Sequence, residues 1–275
     1  MVDTLIPVDA FISETAKQGK REANEFSSYL KNLPEKRWLN QSFCSDWTIK
    51  DVVEHQVTQG KVFLELLRGA LSGKDALLTP ELMGTISQAN ENLNRLELAD
   101  SLANTSHEFY DLLEKANPED LKRTIEMPFA QVSLANIGSF RLSELSLHSW
   151  DVRVVDNLTA KVSRESLPLL YPGLVNFLPV LTDREVLNQL NNTTYQFEIG
   201  GTVIKPVAIS LINGKMQVQE DYAENPDTLI KLDADAFLRL AWGRLRMDWM
   251  VRDGWIKVEG DKDLALKLSS LFKGL

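Results

Sequence analysis

The 275-residue sequence is poor in the residues that usually announce chemistry. It has one cysteine, Cys44, and three histidines, His55, His107 and His148. One cysteine excludes an internal disulfide and any thiolate-rich structural zinc site. Any imidazole-based metal or acid–base chemistry must draw on three residues. Positive charge is also in deficit: 30 Lys and Arg face 39 Asp and Glu, for a net charge of −9. That balance argues against a general phosphate-binding surface, because nucleic-acid affinity rests on cation-to-phosphate attraction. No apolar run approaches the ~20 residues of a membrane span, and residues 1–7 carry no basic flank with an apolar stretch of signal-peptide type. The expectation is a cytoplasmic protein with no nucleic-acid or membrane partner. Hydrophobic residues at 44% and charged residues at 25% are ordinary for a globular chain. At about 150 residues per domain, the length predicts two domains.

Periodicity separates them. Apolar residues at helical spacing predict helices over 9–33, 49–71, 87–115 and 134–155. Thr48 reads as the N-cap of the second, with Asp51 three residues on. Four long helices with short connections suggest an up-and-down bundle. Beyond Asp156 the pattern changes. A helix is expected over 166–178, with Pro172 inside it, and another over 183–189. Alternating segments at 195–199, 207–212, 216–219, 228–232 and 255–258 read as strands, with Asn213-Gly214 as a hairpin turn. Helices over 233–242 and 264–272 complete the pattern. The expected fold is therefore an α-helical domain, residues 1–158, followed by a small α+β domain, 159–275.

The fourth helix carries the notable constellation. With Ile137 at zero on a helical wheel, Glu144, His148, Asp151 and Val155 fall within ~40° of it, and Arg141 at ~40°. A stripe that should face the bundle interior thus holds four ionisable groups, and a buried charge without a partner is costly. Glu144 and His148 stand at i, i+4, so both can reach one point. His55 lies at the edge of the apolar face of the second helix. Two histidines and a glutamate can form a three-ligand metal site with an open position. The same residues can equally form a satisfied polar network without metal. Asp151 or Asp51 could orient a ligand histidine. His107, in a polar helix beside Glu108, reads as a surface residue. Cys44 reads as a small loop residue, and Trp47, Trp150 and Trp242 as core or loop anchors.

Two stretches carry a family resemblance. Cys44-Ser45-Asp46-Trp47-Thr48-Ile49-Lys50-Asp51-Val52-Val53-Glu54-His55 is similar to a C-x-G-W-T-V-x-D-V-x-x-H pattern. Arg141-Leu142-Ser143-Glu144-Leu145-Ser146-Leu147-His148-Ser149-Trp150-Asp151 is similar to R-x-x-E-x-x-x-H-x-W-D. Both belong to the mycothiol-dependent maleylpyruvate isomerase family, whose N-terminal domain is a DinB-like metal-binding four-helix bundle. Asp46 stands where that family usually has glycine, and Gln56 where an aliphatic residue is common. The resemblance spans residues 8–157. Residues 165–275 resemble the α+β domain of sterol carrier protein 2 that often follows this bundle, through 227–233, 236–244 and 253–261.

The resemblance implies His55, Glu144 and His148 as ligands of a divalent metal, with zinc the expected ion. It implies a low-molecular-weight thiol such as mycothiol as cofactor, and a small-molecule electrophile or dicarboxylic substrate. Catalytic arginines are expected at Arg141, Arg244 and Arg246, the last two from the second domain. The activity would be a metal- and thiol-dependent isomerase or thiol transferase. The alternative is a non-catalytic carrier that holds a small apolar ligand in the sterol-carrier-like domain.

Overall fold

The computed structural model describes residues 7–74, 77–127, 130–201 and 205–274. The chain divides into two compact units, Met1–Leu169 and Leu170–Leu275.

The first unit is helical. Its long elements are α1 (Val8–Asn32), α2 (Ile49–Leu71), α3 (Pro80–Asn90), α4 (Arg95–Leu113) and, after a short hairpin of β1 (Thr124–Met127) and β2 (Ala130–Ser133), α5 (Leu134–Arg153). Helices α1, α2, α4 and α5 pack around one another. Their shared core includes Ala23, Phe26 and Leu30 of α1, Val53, Phe63 and Leu67 of α2, Leu102 and Phe109 of α4, and Ile137, Leu145 and Val152 of α5. α2 starts where Thr48 predicts: its hydroxyl accepts from the Asp51 N–H, and the Asp51 carboxylate accepts from the Thr48 N–H.

The helix expected over 87–115 is two helices. Asn94 caps a new start by accepting from the Leu96 and Glu97 N–H groups, and Glu97 reaches back to the Asn94 N–H. A reciprocal cap of this kind satisfies backbone donors that a continuing helix would not leave free. Helix α5 is buried along almost its whole length, from Leu134 to Val152. Its polar residues therefore lie inside the unit and need partners there.

The second unit carries a sheet. Helix α6 (Leu167–Phe177), with Pro172 inside it, leads into α7 (Arg184–Gln189). Strands β3 (Thr193–Gly200), β4 (Val207–Ile212), β5 (Lys215–Gln219), β6 (Thr228–Asp233) and β7 (Lys257–Gly260) form one sheet in the order β5-β4-β3-β6-β7. The β3–β6 pair is parallel and the other pairs are antiparallel. Asn213 and Gly214 turn the β4–β5 hairpin with φ of 53° and 68°, the left-handed region that these two residues tolerate. Helix α8 (Ala234–Ala241) packs on the sheet through Phe237, whose ring lies 5.2 Å from that of Phe197. Helices α9 (Met247–Arg252) and α10 (Lys262–Leu271) complete the unit. The last strand begins later than expected: Trp255 precedes it and is exposed. Among the described residues no helix is long and apolar enough to cross a membrane.

Candidate metal centre

Glu144 and His148 lie one turn apart on α5, and α2 brings His55 to them. His148 Nε2 is 3.5 Å from Glu144 Oε2, and His55 Nε2 is 3.8 Å from the same oxygen. One ligand atom from each of the three lies within 4.8 Å of the others. Glu144 and His148 are buried, and His55 is partly exposed. The cluster therefore has a closed side within the helices and an open side at His55.

Asp151 stands behind His148. Its Oδ2 is 2.9 Å from His148 Nδ1, a close approach that is not a linear hydrogen bond. This leaves Nε2 turned toward Glu144 and His55. Asp51, the other candidate for that task, is spent on the α2 cap.

The electrostatics follow from burial and neighbours. Burial opposes ionisation of Glu144, but the adjacent His148 and His55 outweigh it and hold its carboxyl well below the usual carboxylate range. Burial also opposes protonation of His148, but Asp151, Cys44 and Glu144 together push it up to about 10.

The loop before α2 supplies two residues that sequence reasoning underrated. The Phe43 N–H donates to the Asp151 carbonyl at 3.0 Å, and Cys44 Sγ donates to Asp151 Oδ2 at 3.3 Å. Gln41 Nε2 and Ser42 Oγ both donate to the Trp47 carbonyl, at 2.9 and 2.7 Å, which fixes the loop's shape. Trp47 then packs on both imidazoles, its ring centroid 4.8 Å from that of His55 and 6.1 Å from that of His148. The signal was the spacing: Trp47 lies eight residues before His55, so a capped helix start swings the loop back over the histidine's own end of α2.

Arg141, a candidate catalytic residue, lies inside the helical unit. Its guanidinium is fully buried, with Nη1 donating to Gln56 Oε1 at 2.8 Å. Nη2 donates to the Gln56 carbonyl at 3.3 Å and to Ser106 Oγ at 3.4 Å. Arg244 and Arg246 belong to the second unit. Arg244 Nη1 donates to the Trp242 carbonyl at 2.9 Å. Arg246 pairs with Asp248 at 2.9 Å, and its guanidinium lies 4.9 Å from the Trp249 ring centre. His107 is on the surface of α4, with Nε2 2.9 Å from Asn24 Oδ1.

Comparison with known proteins bears on the same residues. Residues 20–153 match the mycothiol maleylpyruvate isomerase N-terminal domain family, a span that contains His55, Glu144 and His148. Residues 178–273 match the SCP-2 sterol transfer family. Each match falls within one of the two units. Among solved structures it resembles the mycothiol-dependent maleylpyruvate isomerase, with a TM-score of 0.58 and 12% identity over 87% of this chain and 90% of that one. A histidine-to-alanine mutant of that isomerase matches with a TM-score of 0.57 and the same identity and coverage. At 12% identity the likeness is one of fold. No curated protein matches the chain in sequence.

Proposed function

We propose that this chain is a metal-dependent isomerase that uses a low-molecular-weight thiol, with His55, Glu144 and His148 holding a divalent ion. The observation that carries the reading is the meeting of two imidazole Nε2 atoms and one carboxylate oxygen, with Asp151 behind His148. The donor set fits: two neutral nitrogens and a hard oxygen suit zinc and several other divalent ions. When bound, such an ion supplies Lewis acidity and lowers the pKa of a nearby thiol.

The chain's own residues have distinct tasks in this reading. Glu144 is held ionised and brings the negative charge. Asp151 stands 2.9 Å from Nδ1 of His148, on the side of the ring away from Glu144, which leaves Nε2 as the ligand atom. Trp47 packs against both rings from the loop side. A dicarboxylic substrate also needs a cation, and a guanidinium can bind a carboxylate in bidentate fashion. Arg141, with no exposed surface, is a positioning residue.

Two measurements test the proposal together. Purified chain should contain close to one equivalent of a divalent metal, and should isomerise maleylpyruvate only when mycothiol and metal are both present. Native mass spectrometry that finds co-purified lipid and no metal, even after zinc supplementation, would favour the carrier reading and overturn this one.

A more local result is expected at the loop. Trp47→Ala should weaken metal affinity about tenfold, the lower end of what an outer partner of a metal ligand contributes. Competition with a chromophoric chelator measures it. Unchanged affinity would remove Trp47 from the site.

A further inference from the structure

The proposed site is split between two helices: Glu144 and His148 are on α5, and His55 is on α2. Its geometry therefore depends on what fixes the rotation and spacing of one helix against the other. We infer that Arg141, Gln56 and Gly60 form a buried clasp that sets this register, making them positioning residues for the site. The inference rests on the metal reading above.

Arg141 shares its face of α5 with the site, standing three residues before Glu144 and seven before His148. Its side chain crosses to α2 and grips the residue that directly follows His55. One nitrogen takes the Gln56 side-chain oxygen at 2.8 Å, and another takes the Gln56 main-chain carbonyl at 3.3 Å. The second of these also reaches Ser106 of α4 at 3.4 Å. A rigid fork that holds both the side chain and the backbone of one residue resists sliding and rotation together.

Gly60 makes the approach possible. A Cβ there would lie 3.0 Å from Arg141 Nη2 and 3.5 Å from Thr105 Cγ2. Glycine is a poor residue for the inside of a helix, so its presence in α2 is explained by the guanidinium that it admits.

The clasp is also costly, which argues for a task. Among the described residues the hydrogen-bond acceptors of this buried cation are neutral oxygens. Arg141 Nε and Gln56 Nε2 are buried and have no hydrogen-bond partner. Taking a charge out of water costs several kcal/mol, and neutral acceptors offset that only in part. Stability alone does not account for it, whereas its place one turn from Glu144 and beside His55 does.

The test titrates Co2+ alone into metal-free full-length chain and follows its visible absorption. Wild type should take up one equivalent. Gln56→Leu removes the side-chain acceptor and should weaken Co2+ binding about 10–100-fold, with altered absorption bands at saturation. Gly60→Ala keeps every polar group and favours the helix, yet pushes on the fork, so it should weaken binding in the same sense. It decides the matter if Gln56→Leu does not fold. Folded variants, by circular dichroism, that bind with wild-type affinity and an unchanged spectrum would overturn the clasp. Wild-type chain that takes up no Co2+ would overturn the metal reading, and the clasp with it.

Discussion

His148→Ala is expected to lower metal affinity by more than about a hundredfold, since even the outer partners of metal ligands contribute 10–100-fold. It removes one of three ligand groups, and the ring nitrogen that meets Glu144 is lost with it. Isomerase activity should fall with metal content. The substitution also leaves Asp151, which has no exposed surface, without its imidazole neighbour, so a loss of stability is expected too. His55→Ala separates the two effects. His55 is partly exposed, and its removal strands no buried carboxylate other than Glu144, which keeps His148. His107→Ala is the control, because that ring lies on the surface of α4 against Asn24. Metal analysis and urea unfolding of the three variants give the comparison. Metal uptake at wild-type level in both His148→Ala and His55→Ala would sink the proposed ligand set.

These residues differ in how far the sequence alone exposes them. Glu144 and His148 are legible because ionisable groups repeat on one helical stripe between apolar ends. The structure shows why the stripe is unusual: α5 is buried on almost every side, so polar residues there must meet partners from other helices. His55 is less legible, since its position at the edge of the α2 face becomes meaningful only when α2 is docked on α5. Cys44 and Trp47 read as ordinary loop residues, because their importance comes from a hydrogen-bond pattern in the loop, through Gln41, Ser42 and the Asp151 carbonyl, that has no periodicity.

The elements that escaped the pattern are short. β1 and β2 have four residues each and α9 has six, too few for a period of two or 3.6 to stand out. The break before α4 was visible in principle, since Asn94 and Glu97 have capping-box spacing. The apolar positions on either side masked it. Arg141 is the reverse case. The motif marks it, and the helical wheel turns it inward, but only packing shows that Gly60 makes room for it inside the unit.

The pH dependence of metal uptake is the second large expected effect. In the metal-free chain His148 is pushed up to about 10, because Asp151, Cys44 and Glu144 outweigh the cost of burying its charge. An unfolded histidine titrates near ~6.5. The folded value is the higher one, so this group stabilises the metal-free fold fully below the unfolded value. That contribution is lost as pH rises through the folded value. Metal binding has the opposite sign, because a histidine ligand must be deprotonated. Glu144 lies well below the carboxylate range and releases no proton near neutrality. One proton should therefore leave His148 for each ion bound, and affinity should rise about tenfold per pH unit across the neutral range. Competition titrations from pH 6.5 to 8.5 would then show a gain of about a hundredfold. Calorimetry in buffers of different ionisation enthalpy counts the proton directly. Asp151→Asn should flatten the slope, because the neutral amide no longer favours a charged imidazole. Affinity independent of pH, with no proton released, would mean that His148 is already neutral in the metal-free chain. Its contact with Asp151 would then orient the ring without charging it.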